Sequence, residues 1–201
     1  MITNWFDDDP IFNRHYPLDP PYRAYFDYEW GIPTHNDAQI FEMLSLSGFS
    51  AGLNWHSVLN KRTAFRQAFY QWSLPRIAEM TPADVERLCQ NPAIIRNPRK
   101  IQAVIHNANL TLELCAAYGS FDHYLWQQLD DQQLILEIAH YRDLPRQTET
   151  GNRLAKTLRA AGFQFTGPVT LNAWLVTTGF ITARPDSAGL RPTTKKKLSR
   201  T

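Results

Sequence analysis

Aromatic side chains and carboxylates are concentrated between Tyr22 and Pro33, in the stretch YRAYFDYEWGIP. This stretch contains three tyrosines, one tryptophan, Asp27 and Glu29. Flat side chains beside carboxylates can stack on an electron-poor or cationic planar ligand and attract its charge. The same composition suits an aromatic helix packed on a core, so the stretch alone leaves both a ligand pocket and a structural helix open.

A second candidate is the stretch GFQFTG, residues 162–167, which separates two helical patterns. Two short helices joined by such a turn direct backbone N–H groups outward at the start of the second helix, where a phosphate can bind. A plain helical hairpin without a ligand has the same pattern. The spacing therefore predicts the hairpin and leaves its phosphate site as one of two alternatives.

A third stretch, LSLSGFSAGLNW, places two glycines at the junction of two helical patterns. Between Gly48 and Gly52 we expect the helix to be interrupted, because glycine weakens a helix interior. Phe49, Leu53 and Trp55 surround this break. The pattern predicts adaptable backbone beside bulky apolar side chains.

Residues that bind metals or form disulfides are sparse. The six histidines are scattered without a pair at metal-ligand spacing, and Cys89 and Cys115 each lie in an apolar helical pattern. We therefore expect no metal site, no disulfide and a reducing compartment. The chain has no apolar run long enough to span a membrane and no signal-peptide hydrophobic region, so we expect a cytoplasmic protein with no membrane partner.

Charge is unevenly distributed along the chain. An acidic run lies near the start, at residues 7–9, and a basic run lies near the end, at residues 195–197. The formal net charge of +2 is too small to indicate a nucleic-acid-binding protein by itself. We expect both runs to be solvated ends of the chain.

The elements that must position these residues are predicted to be helices. Apolar residues recur every three or four positions, whereas strand-like alternation is scarce, so the predicted fold class is all-α. Helix-start signals occur at Asn36 or Asp37, at Thr81 and at Pro98, and Gly119 ends the longest predicted helix. Residues 130–149 are predicted to be a connection containing one helical turn.

Composition divides the chain into three regions. Residues 1–20 are rich in Asp and Pro and are predicted to be irregular, and residues 21–183 are predicted to form one helical domain. Residues 184–201, dominated by Pro, Gly, Ser and Lys, are predicted to be a disordered basic tail.

Four stretches together resemble the DNA-3-methyladenine glycosylase I family, the Tag-type branch of the helix-hairpin-helix glycosylases. They are DPPYRAYFDYEWGIP, FEMLSLSGFSAGLNWHSVLNKRTAFRQAF, IIRNPRKIQAVIHNA and GFQFTG, and they cover residues 19–181. The resemblance implies a helical core with a smaller helical lobe formed by the termini. It also implies base-excision repair, by hydrolysis of the N-glycosidic bond of a flipped, N3-methylated adenine in DNA.

The resemblance assigns candidate roles to residues of all three stretches. Gly52 and Leu53 match the loop that fills the gap left by the flipped base, as apolar wedges of other DNA-bending proteins do. Gly162, Phe163 and Gly167 belong to the hairpin that matches the sequence-independent phosphate anchor of the family. Four aromatic residues match those of the family's base pocket: Tyr22, Tyr25, Trp30 and Trp55.

The chain departs from the family at its metal-binding set. Family members usually carry two cysteines and two histidines that join the termini through zinc. The equivalent positions are Asn4, Phe26, Arg184 and Ala188. We therefore expect neither zinc nor any other cofactor.

A second departure concerns the pocket. The family has a glutamate where this chain has Ser47, and that glutamate recognises the methylated base and helps its departure. Serine can donate or accept a hydrogen bond but supplies no negative charge. Asp27, Glu29 and Glu42 are the local carboxylates that could replace it; we expect Glu42 to face away and the other two to be structural.

Two hypotheses follow from the resemblance, and a third possibility is a protein with no role on DNA. The first is a zinc-less, monofunctional glycosylase acting as a monomer on double-stranded DNA, with Ser47 at the catalytic position and no pocket lysine to attack the sugar. The second is a catalytically weakened or retargeted DNA-binding paralogue. The alternative is an all-α protein whose pocket binds an unrelated flat ligand.

Overall fold

The protein is described by a computed structural model over residues 10–138 and 143–183. Helices dominate these two ranges, so the predicted all-α fold class is confirmed. Among the described residues no helix combines the length and the apolar character that crossing a membrane requires. The helices are α1 (Pro10–His15), α2 (Pro20–Tyr28), α3 (Asp37–Ser50), α4 (Trp55–Leu59), α5 (Arg62–Ala68), α6 (Leu74–Ala78), α7 (Pro82–Cys89), α8 (Pro98–Tyr118), α9 (Phe121–Gln128), α10 (Glu149–Ala160) and α11 (Pro168–Thr177).

The N-terminal segment differs from the irregular region predicted over residues 1–20. Residues 1–9 lie outside the described residues, but α1 forms directly after them. Phe12 explains the difference, because its ring stacks on Tyr16 at 4.5 Å between centroids and meets Phe26 edge-on at 5.2 Å. This packing stabilises a helix too short to form on its own. The smaller lobe formed by the termini stays a prediction, and residues 184–201, the predicted tail, lie outside the described residues.

The break in the third stretch begins later than predicted. Helix α3 starts after the cap Asn36, as predicted, but continues through Gly48 to Ser50. Gly48 is buried, and a Cβ atom added there would lie 3.3 Å from the Cβ of Phe165 in the hairpin. Glycine at this position therefore serves close packing, and the chain turns only at Gly52, where φ is +79°.

Helix α8 is the longest element, with 21 residues, and its boundaries agree with the prediction. The Asn97 side chain accepts from the backbone N–H of Lys100, and Pro98 occupies the first turn. Gly119 ends the helix with φ +89°. Local signals sufficed here because both ends are set by residues within a few positions of the boundary.

The connection predicted over residues 130–149 contains a strand. Residues Leu134–Ile135 form β1, which pairs in parallel with β2, Ile181–Thr182. Residues 139–142 lie outside the described residues. A two-residue strand has no sequence period to read, and its partner lies far along the chain, so the pattern could not show it.

The predicted helical hairpin is present between α10 and α11. Thr148 caps α10, and Pro168 opens α11 after the turn. Helix α11 packs on both α10 and α3. Its Trp174 indole donates to the backbone carbonyl of Ile40 at 3.0 Å, which fixes α11 against α3.

Candidate functional site

The predicted pocket aromatics lie on α2, in the turn after it and at the start of α4. Tyr25 and Trp55 are brought together, with ring centroids 5.5 Å apart and planes inclined at 54°. Tyr22 and Trp30 reach this pair through Phe26, which contacts Tyr22 at 4.9 Å and Trp30 at 5.7 Å. The four residues thus border one aromatic cluster, whose members other than Trp55 are buried.

Tyr25 is fixed in this cluster from its far end. Its hydroxyl lies 3.1 Å from Thr177 Oγ1 of α11. Burial raises the pKa of Tyr25 well above its ordinary value, although the hydrogen bond to Thr177 opposes the shift. The phenol is therefore neutral at any physiological pH, so it can stack or share a hydrogen bond but cannot supply a negative charge.

The indole Nε1 of Trp55 is buried and has no hydrogen-bond partner among the described residues. Trp72 and Trp126, outside the candidate pocket, share this feature. A buried N–H without a partner is unfavourable, and such groups in native proteins call for an explanation. One explanation is a ligand that accepts this hydrogen bond in the pocket.

Ser47 is buried on α3, with 3% of its surface exposed. It follows Ile40 by two helical turns and so lies on the side of α3 that Trp174 of α11 contacts. Among the described residues its hydroxyl makes no hydrogen bond, and its carbonyl accepts from Ser50 Oγ at 2.8 Å. The position is therefore buried, neutral and available for one hydrogen bond.

Glu42 and Glu29 are bound in an ion-pair network. Arg62 contacts Glu29 with two hydrogen bonds of 2.7 Å and Glu42 with bonds of 3.0 and 2.8 Å. Arg66 adds two bonds to Glu42, of 2.7 and 2.9 Å. Burial alone would raise the pKa of Glu42, but the two guanidinium groups outweigh it and hold that pKa below its usual range.

Asp27, the third carboxylate, is also engaged. It accepts a short hydrogen bond from the Tyr16 hydroxyl and lies 3.5 Å from Arg23. Burial and this carboxylate together raise the pKa of Tyr16 to about 12. All three carboxylates considered as replacements for the family glutamate therefore have structural partners, which agrees with the structural role expected for Asp27 and Glu29.

A histidine pair beside Tyr22 was not predicted from the sequence. The rings of His15 and His56 stack with centroids 3.7 Å apart, and Tyr22 meets both rings edge-on. His56 Nε2 lies 2.7 Å from Asp19, the residue that caps α2. No local signal could reveal the pair, because the two histidines are far apart in sequence.

The predicted wedge loop is exposed between α3 and α4. Gly52 has a positive φ, and Leu53, at 50% exposed, projects as a large apolar side chain into solvent. The backbone N–H of Leu53 donates to Ser50 O at 2.7 Å, which closes a tight turn after α3. The loop starts one turn after Ser47 and leads directly into Trp55, so it lies next to the candidate pocket.

The hairpin presents a mixed backbone and apolar surface. Gly162 has φ +95°, and Phe163 is buried as the anchor of the turn. Phe165 is 38% exposed. Gly167 supplies no side-chain cap to α11, which leaves backbone N–H groups of the first turn available to an anion.

Helix α8 holds the hairpin in place. The Asn107 side chain accepts from Gln164 N at 2.9 Å and donates to Gln164 O at 3.0 Å. His106 Nε2 lies 3.0 Å from Gly162 O. Asn107 was not singled out in the sequence, because its role depends on a turn that follows it by more than 50 residues.

The family's metal positions are only partly within the described residues. Phe26 is one of them, and its phenyl ring is packed among Tyr22 and Tyr25. Asn4, Arg184 and Ala188 lie outside the described residues. Within residues 10–138 and 143–183 no three His, Cys, Asp or Glu side chains are grouped so that they could hold a metal ion.

The all-α fold, with its helical hairpin between α10 and α11, places the protein in the class of helix-hairpin-helix glycosylases. Within that class, the profile of the methyladenine glycosylase family matches residues 15–190. The chain belongs to this family, and the Tag-type resemblance is confirmed.

Three relatives show how close the similarity is. DNA-3-methyladenine glycosylase 1 of Escherichia coli is 36% identical over 163 residues, covering 81% of this chain and 87% of that protein. The DNA-3-methyladenine glycosylase of Haemophilus influenzae is 33% identical over 160 residues, covering 80% and 86%. The Staphylococcus aureus 3-methyladenine DNA glycosylase I, solved to explain 3-methyladenine recognition, has a TM-score of 0.82 at 33% identity, covering 88% and 94%.

Proposed function

We propose that this protein is a monofunctional glycosylase that removes 3-methyladenine from double-stranded DNA as the first step of base-excision repair. Membership of the methyladenine glycosylase family over residues 15–190 carries this proposal. The pairing of Tyr25 with Trp55 beside the wedge loop supports it, because a flipped base needs flat side chains next to whatever fills the gap in the duplex.

The DNA contacts divide between two loops. Hairpin residues 162–167 and the first turn of α11 bind the phosphate backbone through N–H groups, without regard to sequence. Leu53 enters the stack where the damaged base has left, as apolar wedges do in proteins that bend DNA. Both loops belong to one chain, so a monomer is sufficient to bind DNA in this way. A protein with this function would act in the bacterial cytoplasm, where the chromosomal DNA lies.

The base is held by stacking and by a small number of hydrogen bonds. Tyr25 and Trp55 supply the flat surfaces, and Tyr22 and Trp30 close the cluster around them. The unpaired indole N–H of Trp55 is available to donate to an acceptor on the base. Ser47 supplies one hydroxyl at the position where the family has a carboxylate.

The bond cleavage depends on the charge that methylation creates. N3-methylated adenine is cationic while it is attached to the sugar, so its glycosidic bond is weak before binding. When the bond to C1′ breaks, its electron pair goes to the base, which leaves as a neutral molecule. A water oxygen then bonds to C1′ and releases its proton to solvent, which gives an abasic site without an enzyme–sugar intermediate.

The neutral pocket restricts this chemistry to activated substrates. Glycoside hydrolysis normally depends on a carboxylate near the oxocarbenium-like transition state. The nearby carboxylates Glu42 and Glu29 are paired with arginines, and Asp27 with Tyr16. A base that is already a good leaving group is the substrate that such a pocket can process.

The replacement of the family glutamate by Ser47 also favours one alternative function. A DNA-binding paralogue that has lost catalysis would keep the hairpin and the wedge loop and could lose the glutamate. Ser47 is the specific residue that supports this alternative. The two functions differ in whether a base is released.

A glycosylase assay on methylated duplex DNA, with chromatographic identification of the released base, tests the proposal. We expect free 3-methyladenine and abasic sites, and no strand cleavage until alkali is added. Trp55→Ala should lower the release rate about 5- to 160-fold, because stacking on an aromatic ring contributes about 1–3 kcal/mol per base. Binding to abasic DNA without any base release would instead establish the paralogue.

A further inference from the structure

Lys100, the third residue of α8, is a buried cation. Only 8% of its surface is exposed, whereas lysine is almost never buried unless it is paired. The ion pairs among the described residues do not include it, and burial lowers the pKa of its ammonium group. Such a position needs a specific compensating interaction.

The compensation comes from the end of α3. Lys100 Nζ donates to the backbone carbonyls of Phe49 and Ala51, each at 2.8 Å. These carbonyls lie at the C-terminus of the helix, where the helix dipole favours a cation. Lys100 therefore holds the residue that immediately precedes Gly52 and Leu53.

Lys100 also lies beside the hairpin of residues 162–167. The Lys100 ammonium lies 5.9 Å from the centroid of the Phe165 ring, and both residues line a small crevice with Gly48 and Asn107. Asn107, two turns further along α8, holds the backbone of Gln164 with two hydrogen bonds. One stretch of α8 about 10 Å long thus holds the wedge loop at one end and the hairpin at the other.

We propose that Lys100 is a positioning residue that fixes the wedge loop relative to the hairpin, so that anchoring on the phosphates sets the depth to which Leu53 enters the duplex. The proposal rests on the proposed function, because it concerns how the same two loops cooperate on DNA. Lys100 itself contacts no phosphate, since its ammonium is buried under the loop.

The physical reason is geometric. Two contacts with a rigid duplex reinforce each other only if their separation is fixed, and a misplacement of about 1 Å can lower a rate about 100-fold. Without the ammonium group, the two carbonyls at the end of α3 lose their donor, and the turn at Gly52 is free to shift. The hairpin keeps its own contacts with Asn107 and His106.

The test uses Lys100→Met, which keeps the apolar stem and removes the ammonium. The matched control is Lys61→Met, because Lys61 also donates to two backbone carbonyls, those of Pro92 at 3.3 Å and Ala93 at 3.1 Å, away from the wedge. One probe is an undamaged duplex, which reports the affinity and salt dependence of anchoring. The other is a duplex in which 2-aminopurine flanks a tetrahydrofuran abasic analogue, whose fluorescence reports wedge insertion.

For Lys100→Met we expect duplex affinity within about twofold of wild type and an unchanged salt slope, because no phosphate contact is lost. The fluorescence change should fall to less than half, and single-turnover release of 3-methyladenine should slow about 10- to 100-fold. Lys61→Met should match the wild type in all three measurements.

A double-mutant cycle with Leu53→Ala separates positioning from a general loss of stability. If Lys100 acts through the wedge, Leu53→Ala should reduce the fluorescence change less in the Lys100→Met background than in the wild type. Additive effects would overturn the proposal, and so would a reduced salt slope, which would show a direct phosphate contact. If Lys100→Met does not fold, Lys100→Gln replaces it, since its amide can still donate to one carbonyl.

The two proposals fail differently in this experiment. A wild-type protein that inserts the wedge and releases 3-methyladenine while Lys100→Met does both equally well would overturn the role of Lys100 alone. A wild-type protein that binds the abasic duplex without any base release would overturn the proposed function, and the fluorescence cycle would still decide the role of Lys100.

Discussion

The hairpin and the base pocket are stabilised by different kinds of interaction. The hairpin is held by two hydrogen bonds with Asn107 and one contact with His106, and no side chain caps the N-terminus of α11 that follows it. The pocket is held by a buried network of charges, with Arg62 joining α2, α3 and α5 through Glu29 and Glu42. Ser47, the proposed catalytic position, is buried and carries no charge.

The difference shows where the protein places its charges. Within residues 10–138 and 143–183, the three carboxylates considered for the pocket, Asp27, Glu29 and Glu42, each have a structural partner, so none of the three is free to stabilise a cationic transition state. In the proposed function the hairpin needs no charged side chain, because helix N-termini bind phosphate through N–H groups. We therefore expect DNA binding not to depend on a charged side chain of the hairpin, and catalysis to depend on the charge of the damaged base.

The largest loss of stability is expected when the ion-pair network around Arg62 is broken. Arg62→Met should lower the free energy of unfolding by about 3 kcal/mol, because buried Glu42 keeps only Arg66 and part-buried Glu29 loses its arginine partner. Urea denaturation measures the loss. Arg87→Met, which removes a surface pair with Asp84, is the control and should change stability by less than about 1 kcal/mol. Similar losses in both variants would show that the network is not the support of the pocket.

A smaller effect is expected in the hairpin. Asn107→Leu should lower the free energy of unfolding by about 1–3 kcal/mol, because the Gln164 N–H and C=O lose their partners. Affinity for undamaged duplex should fall as well, since the anchor loses its fixed shape. Asn109→Leu on the same helix is the control, because Asn109 bonds only to Ile105 of its own helix. Unchanged DNA affinity in Asn107→Leu would contradict the role of α8 as the support of the hairpin.

The pH dependence of stability should distinguish the two regions further. The pKa of Glu42 is lower in the folded protein than in the unfolded chain, where it is about 4.3, so its stabilisation is complete above that value. Stability should therefore decrease as the pH falls below about 4.3 and Glu42 gains a proton in the unfolded state first. Glu42→Gln should flatten this decrease in acid unfolding curves, whereas Glu113→Gln, at an exposed site on α8, should not.

The sequence showed what local chemistry determines. The helix starts at Asn36, Thr81 and Pro98 and the end of α8 at Gly119 were predictable, because each depends on neighbours within one turn. Gly48 inside a helix was not predictable, because its reason is Phe165, more than 100 residues away.

The candidate site divides in the same way. Its aromatic residues were identified through family motifs, and the structure brings Tyr25 and Trp55 into contact. Lys100, Asn107 and the arginine partners of Glu42 were missed, because their roles arise only when distant segments pack. The roles of the candidate site residues in DNA binding and catalysis stay predictions.

The central claim is that a neutral pocket hydrolyses only a base that carries its own charge. Single-turnover release rates from two duplexes, one with 3-methyladenine and one with neutral hypoxanthine, test it most directly. We predict that the wild-type protein releases 3-methyladenine and leaves hypoxanthine in place. Absence of 3-methyladenine release under conditions where the protein binds abasic DNA would contradict the claim, and so would release of both bases at similar rates.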